Sequence, residues 1–316
     1  MKILITGAAG YIGEFVLHEV LKRGHQVIAL VRSSPPTRWE GIRNLEALQR
    51  DLRHTGPMDL TDRGIDVIVH LAAATRGSAA EQFQDTVTGT VALLTAARQA
   101  GIRRLVGVSS VAVLDYVSLP PMTLIDESVA TSNIDQGMGL YAGLKLEQES
   151  LFVHFGSESG HCCSILRPGL AYDESRLSAS HAGINTHPIF LRVAHDGEVP
   201  TIEVRGLANA IANAAERNRH GCEFVHLMDD HLPSQQQYVA GLRRRGLLPH
   251  ARFVLPWSTV SSILGFIRIM LSVTGLGVQW PEVLLPHGFS ARLKPFRFSN
   301  ARAKALLGWT PGNKFA

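Results

Sequence analysis

Apolar residues recur along the first half of this chain in two alternating periods. Continuous apolar runs of strand length stand at Lys2-Ile3-Leu4-Ile5, Gln26 to Val31, Asp66 to Leu71, Arg104 to Ser109 and Ser164-Ile165-Leu166. Helical spacing fills the stretches between them: Phe15-Val16-Leu17 with Val20-Leu21, then Val87 to Ala100, then Tyr141 to Phe155. Strands that are apolar throughout are buried on both faces, as in a parallel sheet covered by helices. The pattern therefore predicts an α/β fold with a doubly wound parallel sheet.

The alternation weakens after Arg167-Pro168-Gly169, and a soft boundary near residue 170 separates a first domain, 1–169, from a smaller lobe, 170–316. Later pieces such as Glu223 to Leu227 read as parts of that lobe, although some of its segments are free to return to the sheet. From Phe253 to Pro281 the only charge is Arg268, and Trp257, Val260, Leu264, Ile267 and Leu271 recur at helical spacing. This predicts a core helix of the lobe. A substrate-facing lid and a membrane-surface helix are the alternatives, the last disfavoured by the scarcity of basic residues in the segment.

A chain of 316 residues, 45% hydrophobic and 18% charged, can bury one large core plus an appended lobe and leaves little room for disorder. The net charge of +4 is small and the arginines are scattered, so no nucleic-acid footprint is expected, while an anionic ligand suits the balance. Arg243-Arg244-Arg245 reads as a solvated face that could also meet a diphosphate. Cys162, Cys163 and Cys222 are too few for a disulfide framework and read as buried thiols. Met1-Lys2 leads straight into a predicted strand, so no signal peptide is expected. The uncharged run from Phe253 stops at Arg268, short of the roughly 20 residues that span a bilayer. The expectation is a cytoplasmic protein without a membrane span, and no metal is expected.

Two short motifs carry the chemistry. Thr6-Gly7-Ala8-Ala9-Gly10-Tyr11-Ile12-Gly13 lies between a strand and a helix, where glycines let backbone approach a pyrophosphate and the helix N-terminus stabilises its charge. Tyr141 and Lys145 are four residues apart and share a helix face. A tyrosine with an ordinary pKa near 10 is a poor base, and a neighbouring ammonium favours its phenolate. Ser110 follows a central strand, at the sheet end where open α/β folds bind ligands. Alone, each has a plainer reading: Tyr141 as packing, Lys145 as solvated charge, Ser110 as a cap. With the glycine turn upstream, the three suggest proton and hydride exchange at a carbonyl.

These motifs make the chain resemble the extended short-chain dehydrogenase/reductases, the family also named for NAD-dependent epimerases and dehydratases. The matches run nearly end to end: the glycine turn, Asp51-Leu52, His70-Leu71-Ala72-Ala73, Val108-Ser109-Ser110, Tyr141/Lys145, Leu166-Arg167-Pro168-Gly169 and Ala305 to Pro311. The resemblance implies a Rossmann-type dinucleotide-binding domain and a mainly substrate-binding C-terminal lobe. It implies Tyr141 as acid/base, Lys145 on the cofactor ribose and Ser110 polarising the substrate. Gly7, Ala9, Gly10, Tyr11, Ile12, Gly13, Arg32, Asp51, Leu52, Leu71, Ala72, Ala73, Val108 and Pro168 would surround the cofactor, with Pro168 beside the nicotinamide. A homodimer through the helices at 87–100 and 141–155 is also implied.

Departures narrow the expectation. Leu144 replaces a serine common before the motif lysine, Leu170 an asparagine after Arg-Pro-Gly, and Thr86 an asparagine before Gly-Thr. Val111-Ala112 stand where dehydratases carry an Asp-Glu pair, which argues against dehydration. At the end of the second strand an acid would bind the ribose 2′-hydroxyl of NAD and an arginine a 2′-phosphate; Val31-Arg32-Ser33-Ser34 favours NADP over NAD. The expected activity is interconversion of a ketone and a secondary alcohol. A nucleotide-sugar epimerase with tightly bound NAD is the alternative, and a cofactor-sensing regulator without chemistry a second. Between Val113 and Met138, Pro120-Pro121 and Gly137 suit a loop closing over the site.

Overall fold

The computed structural model describes residues 1–133, 138–185, 190–217, 221–248, 253–274, 280–311 and 315. The chain begins with β1 (Lys2–Thr6), α1 (Tyr11–Lys22), β2 (Gln26–Val31), β3 (Leu45–Gln49) and β4 (Val67–His70). Next come α2 (Ala79–Phe83), α3 (Gly89–Gln99), β5 (Arg104–Val108), β6 (Leu124–Ile125), α4 (Leu140–Gly156) and β7 (Cys162–Pro168). Then follow β8 (Leu170–Tyr172), β9 (Gly183–Asn185), β10 (Phe190–Ala194), β11 (Thr201–Glu203), α5 (Val204–Glu216), β12 (Gly221–Leu227) and α6 (Gln235–Arg244). The last elements are β13 (Phe253–Pro256), α7 (Trp257–Thr274), α8 (Pro286–Leu293), β14 (Arg297–Phe298) and α9 (Ala301–Leu307).

Seven parallel strands form the main sheet in the order β12-β7-β5-β4-β1-β2-β3. The order reverses between β1 and β4, which opens a crevice at their carboxyl ends. On one face, Val16, Leu17 and Val20 of α1 pack with Leu207, Ile211 and Ala215 of α5. On the other, Leu93, Leu94 and Ala97 of α3 pack with Phe152 and Phe155 of α4. The doubly wound α/β fold is therefore the one the apolar runs predict.

Three details differ from the sequence reading. β3 has no predicted counterpart, because Leu45-Glu46-Ala47-Leu48-Gln49 is a half-exposed edge strand that lacks a continuous apolar run. Residues 221–227, expected in the smaller lobe, are the opposite edge of the main sheet, joined to β7 through the buried helix α5. Cys222 is consequently exposed at that edge, while Cys162 and Cys163 are buried.

α4 is fixed to the sheet from below. Phe152 lies where a Cβ at Gly107 of β5 would be, 2.4 Å from its ring, so the helix sits closer than any larger residue would allow. One turn after Lys145, Glu149 accepts from Arg167 of β7, Nε to Oε2 at 3.1 Å, with both side chains buried. The Arg167 guanidinium also lies 4.5 Å over the Phe224 ring.

In the smaller lobe β13, β10 and β9 form a three-stranded sheet backed by α7 and α8. Val260 and Leu264 are buried there and Trp257 packs against them, but Ile267 faces outward. Among the described residues no helix is long and apolar enough to cross a membrane.

Candidate active site

The turn between β1 and α1 is a backbone cradle. Gly7 has φ +70°, and a Cβ there would meet the Ala72 nitrogen at 2.9 Å. A Cβ on Gly13 would meet the Gly7 carbonyl oxygen at 2.1 Å, so this position holds the helix against the strand. α1 starts at Gly10 with no side-chain cap, leaving its first N–H groups for an anion. These features fit a dinucleotide pyrophosphate.

Two cavities, of about 340 and 750 Å³, adjoin along the carboxyl ends of the strands and share Gly7, Gly10 and Ala73. Ala9, Arg32, Asp51, Leu52 and Ala72 line the smaller. Tyr11, Ile12, Gly13, Leu71, Val108, Ser110, Tyr141, Lys145 and Pro168 line the larger. Every residue that the resemblance assigns to catalysis or to the cofactor thus lines one of these two adjoining cavities.

The smaller cavity is charged at its outer end. Arg32 pairs with Asp85 at 2.6 Å, and Ser33, Ser34 and Arg50 stand beside it. Arg53 binds Asp51 and holds its carboxyl down at about 2. Arg50 escaped the sequence reading because it follows β3, the strand that reading missed.

At the inner end, Ser110 accepts from the Ala112 N–H at 3.1 Å and lines the larger cavity with Tyr141. Ser110 is therefore a cap that also faces the site. Lys145 does not contact the phenol as its helical spacing suggested: Nζ donates to the Val108 carbonyl at 2.8 Å and to Gln148 Oε1 at 2.9 Å. Burial pushes the ammonium down to about 7, with Glu149 opposing. Burial likewise raises the Tyr141 phenol, with the Ser110 hydroxyl opposing. The phenol is held protonated.

Gln148, which the sequence reading missed, ties Lys145 to the cofactor wall. Its amide donates to Ala72 O at 3.0 Å and Thr90 Oγ1 at 2.9 Å, and lies 3.1 Å from His70 Nε2. His70 reaches Thr6, at the base of the glycine turn, at 2.5 Å, and burial keeps its pKa down at about 3. The spacing of three between Lys145 and Gln148 was the available signal. Thr86 accepts from the Ala74 N–H at 2.9 Å, so it retains a structural bond at a family asparagine position.

The far wall of the larger cavity comes from the C-terminal half. Arg176, which lies 4.5 Å over the Tyr11 ring, stands there with His181, Glu282, His287 and Arg292. Glu282 and Arg292 pair at 3.0 Å. His287 Nε2 meets the Leu114 carbonyl at 3.0 Å. Burial, then Arg292 and His195, push His181 down to about 3, so it is neutral at pH 7. Leu170, Val111 and Ala112 also line this cavity. Tyr116, from the expected closing loop, lines it too, whereas Gly137 lies outside the described residues. Arg243 to Arg245 lie away from the cleft, exposed at the end of α6.

Residues 3–217 match the family described as NAD dependent epimerase/dehydratase. The chain belongs to this family. It is accordingly an enzyme with a nicotinamide dinucleotide cofactor. A ketoreductase of Stigmatella aurantiaca, named for 4-hydroxy-2-methyl-3-oxo-4-farnesyl-3,4-dihydroquinoline-1-oxide, is 36% identical over 130 residues, covering 40% of this chain and only 38% of that relative. A UDP-glucose 4-epimerase of Erwinia amylovora is 30% identical over 275 residues, covering 76% of this chain and 77% of the relative. The structure of MoeE5 in complex with UDP-glucose and NAD superposes with a TM-score of 0.69 at 19% identity, over 100% of this chain and 95% of the other.

Proposed function

We propose that this family member interconverts a ketone and a secondary alcohol, with NADP preferred over NAD. The observation that carries the reading is that Ser110, Tyr141 and Lys145 line one wall of the larger cavity, with burial keeping the Tyr141 phenol protonated. The nicotinamide, when bound, supplies or takes up the hydride. Ser110 and Tyr141 orient the carbonyl oxygen, and Tyr141 gives it a proton as the ketone is reduced. Lys145, held by Val108 and Gln148 on the same wall, is placed to meet the cofactor ribose. Arg32, with Arg50 beside it, supports 2′-phosphate recognition. Leu170 and Ala112 on the substrate wall support a substrate less polar than a nucleotide sugar, as does the ketoreductase relative. A homodimer through α3 and α4 belongs to this reading, supported by exposed Val91 and Val153.

The second reading, sugar-nucleotide epimerisation, is favoured by the longer match to the Erwinia amylovora enzyme. Both are tested by offering NADPH and NADH with apolar ketones and, separately, UDP-sugars with NAD. Net oxidation of NADPH by a ketone supports the proposal; epimerised sugar without net cofactor turnover overturns it. Tyr141→Phe should lower the ketone rate by about 10²–10⁴-fold while NADPH still binds. Because the acid form is the phenol, ketone reduction should fall, and alcohol oxidation rise, as pH climbs through the Tyr141 pKa.

A further inference from the structure

Around the outer end of the smaller cavity three arginines already hold carboxylates. Arg50 Nη2 meets Asp59 Oδ1 at 2.6 Å, Arg53 is forked onto Asp51, and Arg32 Nη1 meets Asp85 Oδ2 at 2.6 Å. Asp85 differs from the other two acids because it reaches two arginines: its Oδ1 lies 3.6 Å from Arg53 Nη1. The three partnerships therefore do not come apart equally. Removing the Asp85 carboxylate leaves Arg53 on Asp51 and Arg50 on Asp59, and it releases Arg32 alone.

An uncommon local device brings Asp85 to this place. Between α2 and α3, Gln84–Thr88 form one wide turn of π-helix, a feature that recurs where helices serve a site. Buried bonds fix the turn: Thr86 accepts from the Ala74 N–H at 2.9 Å, and its carbonyl accepts from Thr90 Oγ1 at 2.6 Å. Asp85 is thereby carried to the cavity wall, in contact with the loop after β2 that holds Arg32, Ser33 and Ser34. The Asp85 side chain is 25% exposed and that of Arg32 63%. The acid is the fixed member of the pair, and the arginine is the movable one.

We propose that Asp85 sets the choice between NAD and NADP by holding Arg32 until a 2′-phosphate takes it. This rests on the role proposed above for Arg32 at that phosphate. The ribose 2′-hydroxyl of NAD is neutral and leaves the Arg32–Asp85 pair closed. A 2′-phosphate competes with the Asp85 carboxylate for one guanidinium and is also repelled by it. Arg32 then turns to the phosphate, while Asp85 keeps its contact with Arg53. The acid thus weakens the NADP preference that Arg32 confers and leaves room for both cofactors. The end of the second strand shows the arginine but not its partner, which lies 53 residues further along the chain.

The test is equilibrium binding of NADH and NADPH to the purified full chain, followed by cofactor fluorescence without any substrate. Asp85→Asn should tighten NADPH about fivefold, the upper range for an exposed ion pair, and leave NADH as in wild type. Asp85→Ala should do the same, and adding Arg32→Ser to Asp85→Asn should abolish the gain. Unchanged NADPH affinity in both single variants overturns the proposal, as does a gain that survives the loss of Arg32. Weaker NADH binding by Asp85→Asn would make Asp85 a ribose ligand and overturns it too. The NADP preference itself is judged on the wild-type chain. Equal wild-type affinity for the two cofactors removes that preference, whereas a gain for NADPH in Asp85→Asn still establishes the hold of Asp85 on Arg32.

Discussion

The two ends of the cleft are built by opposite means. The cofactor end uses backbone: Gly7, Gly10, the uncapped start of α1 and the strand ends of a sheet whose core is sealed on both faces. The far wall of the larger cavity adds polar side chains, Arg176, His181, Glu282, His287 and Arg292, drawn from loops and from α8. Backbone recognition needs glycine at fixed spacing, and that spacing survives as a motif. Side-chain recognition depends on which distant segments the fold brings together. The first end thus carries the family's motif, and on the proposed reading the second decides the substrate.

This difference also explains what could be read in advance. β1, β2, β4, β5 and β7 are continuous apolar runs, and α4 carries Tyr141 and Lys145 at a legible spacing of four. β3 was invisible because only Leu45 and Leu48 of its larger apolar residues interrupt exposed polar ones. β12 was visible as a strand but not as part of the main sheet, since its pairing with β7 depends on a crossover of more than fifty residues. The redirection of Lys145 toward Val108 and Gln148 was illegible for another reason. Spacing places a side chain on a helix face, not on a partner.

The largest effect should come from Arg167, which anchors α4, the helix both ends share. Arg167→Met leaves the Glu149 carboxylate buried without its partner, and breaking such a pair costs about 3–5 kcal/mol. Thermal or urea unfolding should show that loss, and a double change, Arg167→Met/Glu149→Leu, should recover much of it. A single variant as stable as wild type would mean that α4 is held by Phe152 and its neighbours alone.

A smaller effect, confined to the cofactor end, is expected at Arg32. Removing one charge-assisted contact to a 2′-phosphate corresponds to about 1.5 kcal/mol, so Arg32→Ser should raise the KM for NADPH roughly tenfold and leave that for NADH unchanged. Equal changes for both cofactors would show that Arg32 serves only to hold Asp85.

The smallest effect belongs to the substrate end and asks whether that end carries charge selectivity at all. His181 is neutral throughout the range from pH 5 to 8, because burial and Arg292 hold its pKa near 3. Glu282 already neutralises Arg292 at 3.0 Å, and both are partly exposed. A half-exposed, paired arginine contributes on the order of 0.2–1 kcal/mol. Arg292→Ala should therefore raise the KM of a carboxylate-bearing ketone by no more than about fivefold, with that of a neutral ketone unchanged. His181 should therefore add no titration to substrate KM between pH 5 and 8 in the wild-type enzyme. If Arg292→Ala instead raised the KM of the acidic ketone a hundredfold, the Glu282 pairing would have to open on binding, and the substrate end would be an anion site as specific as the glycine turn.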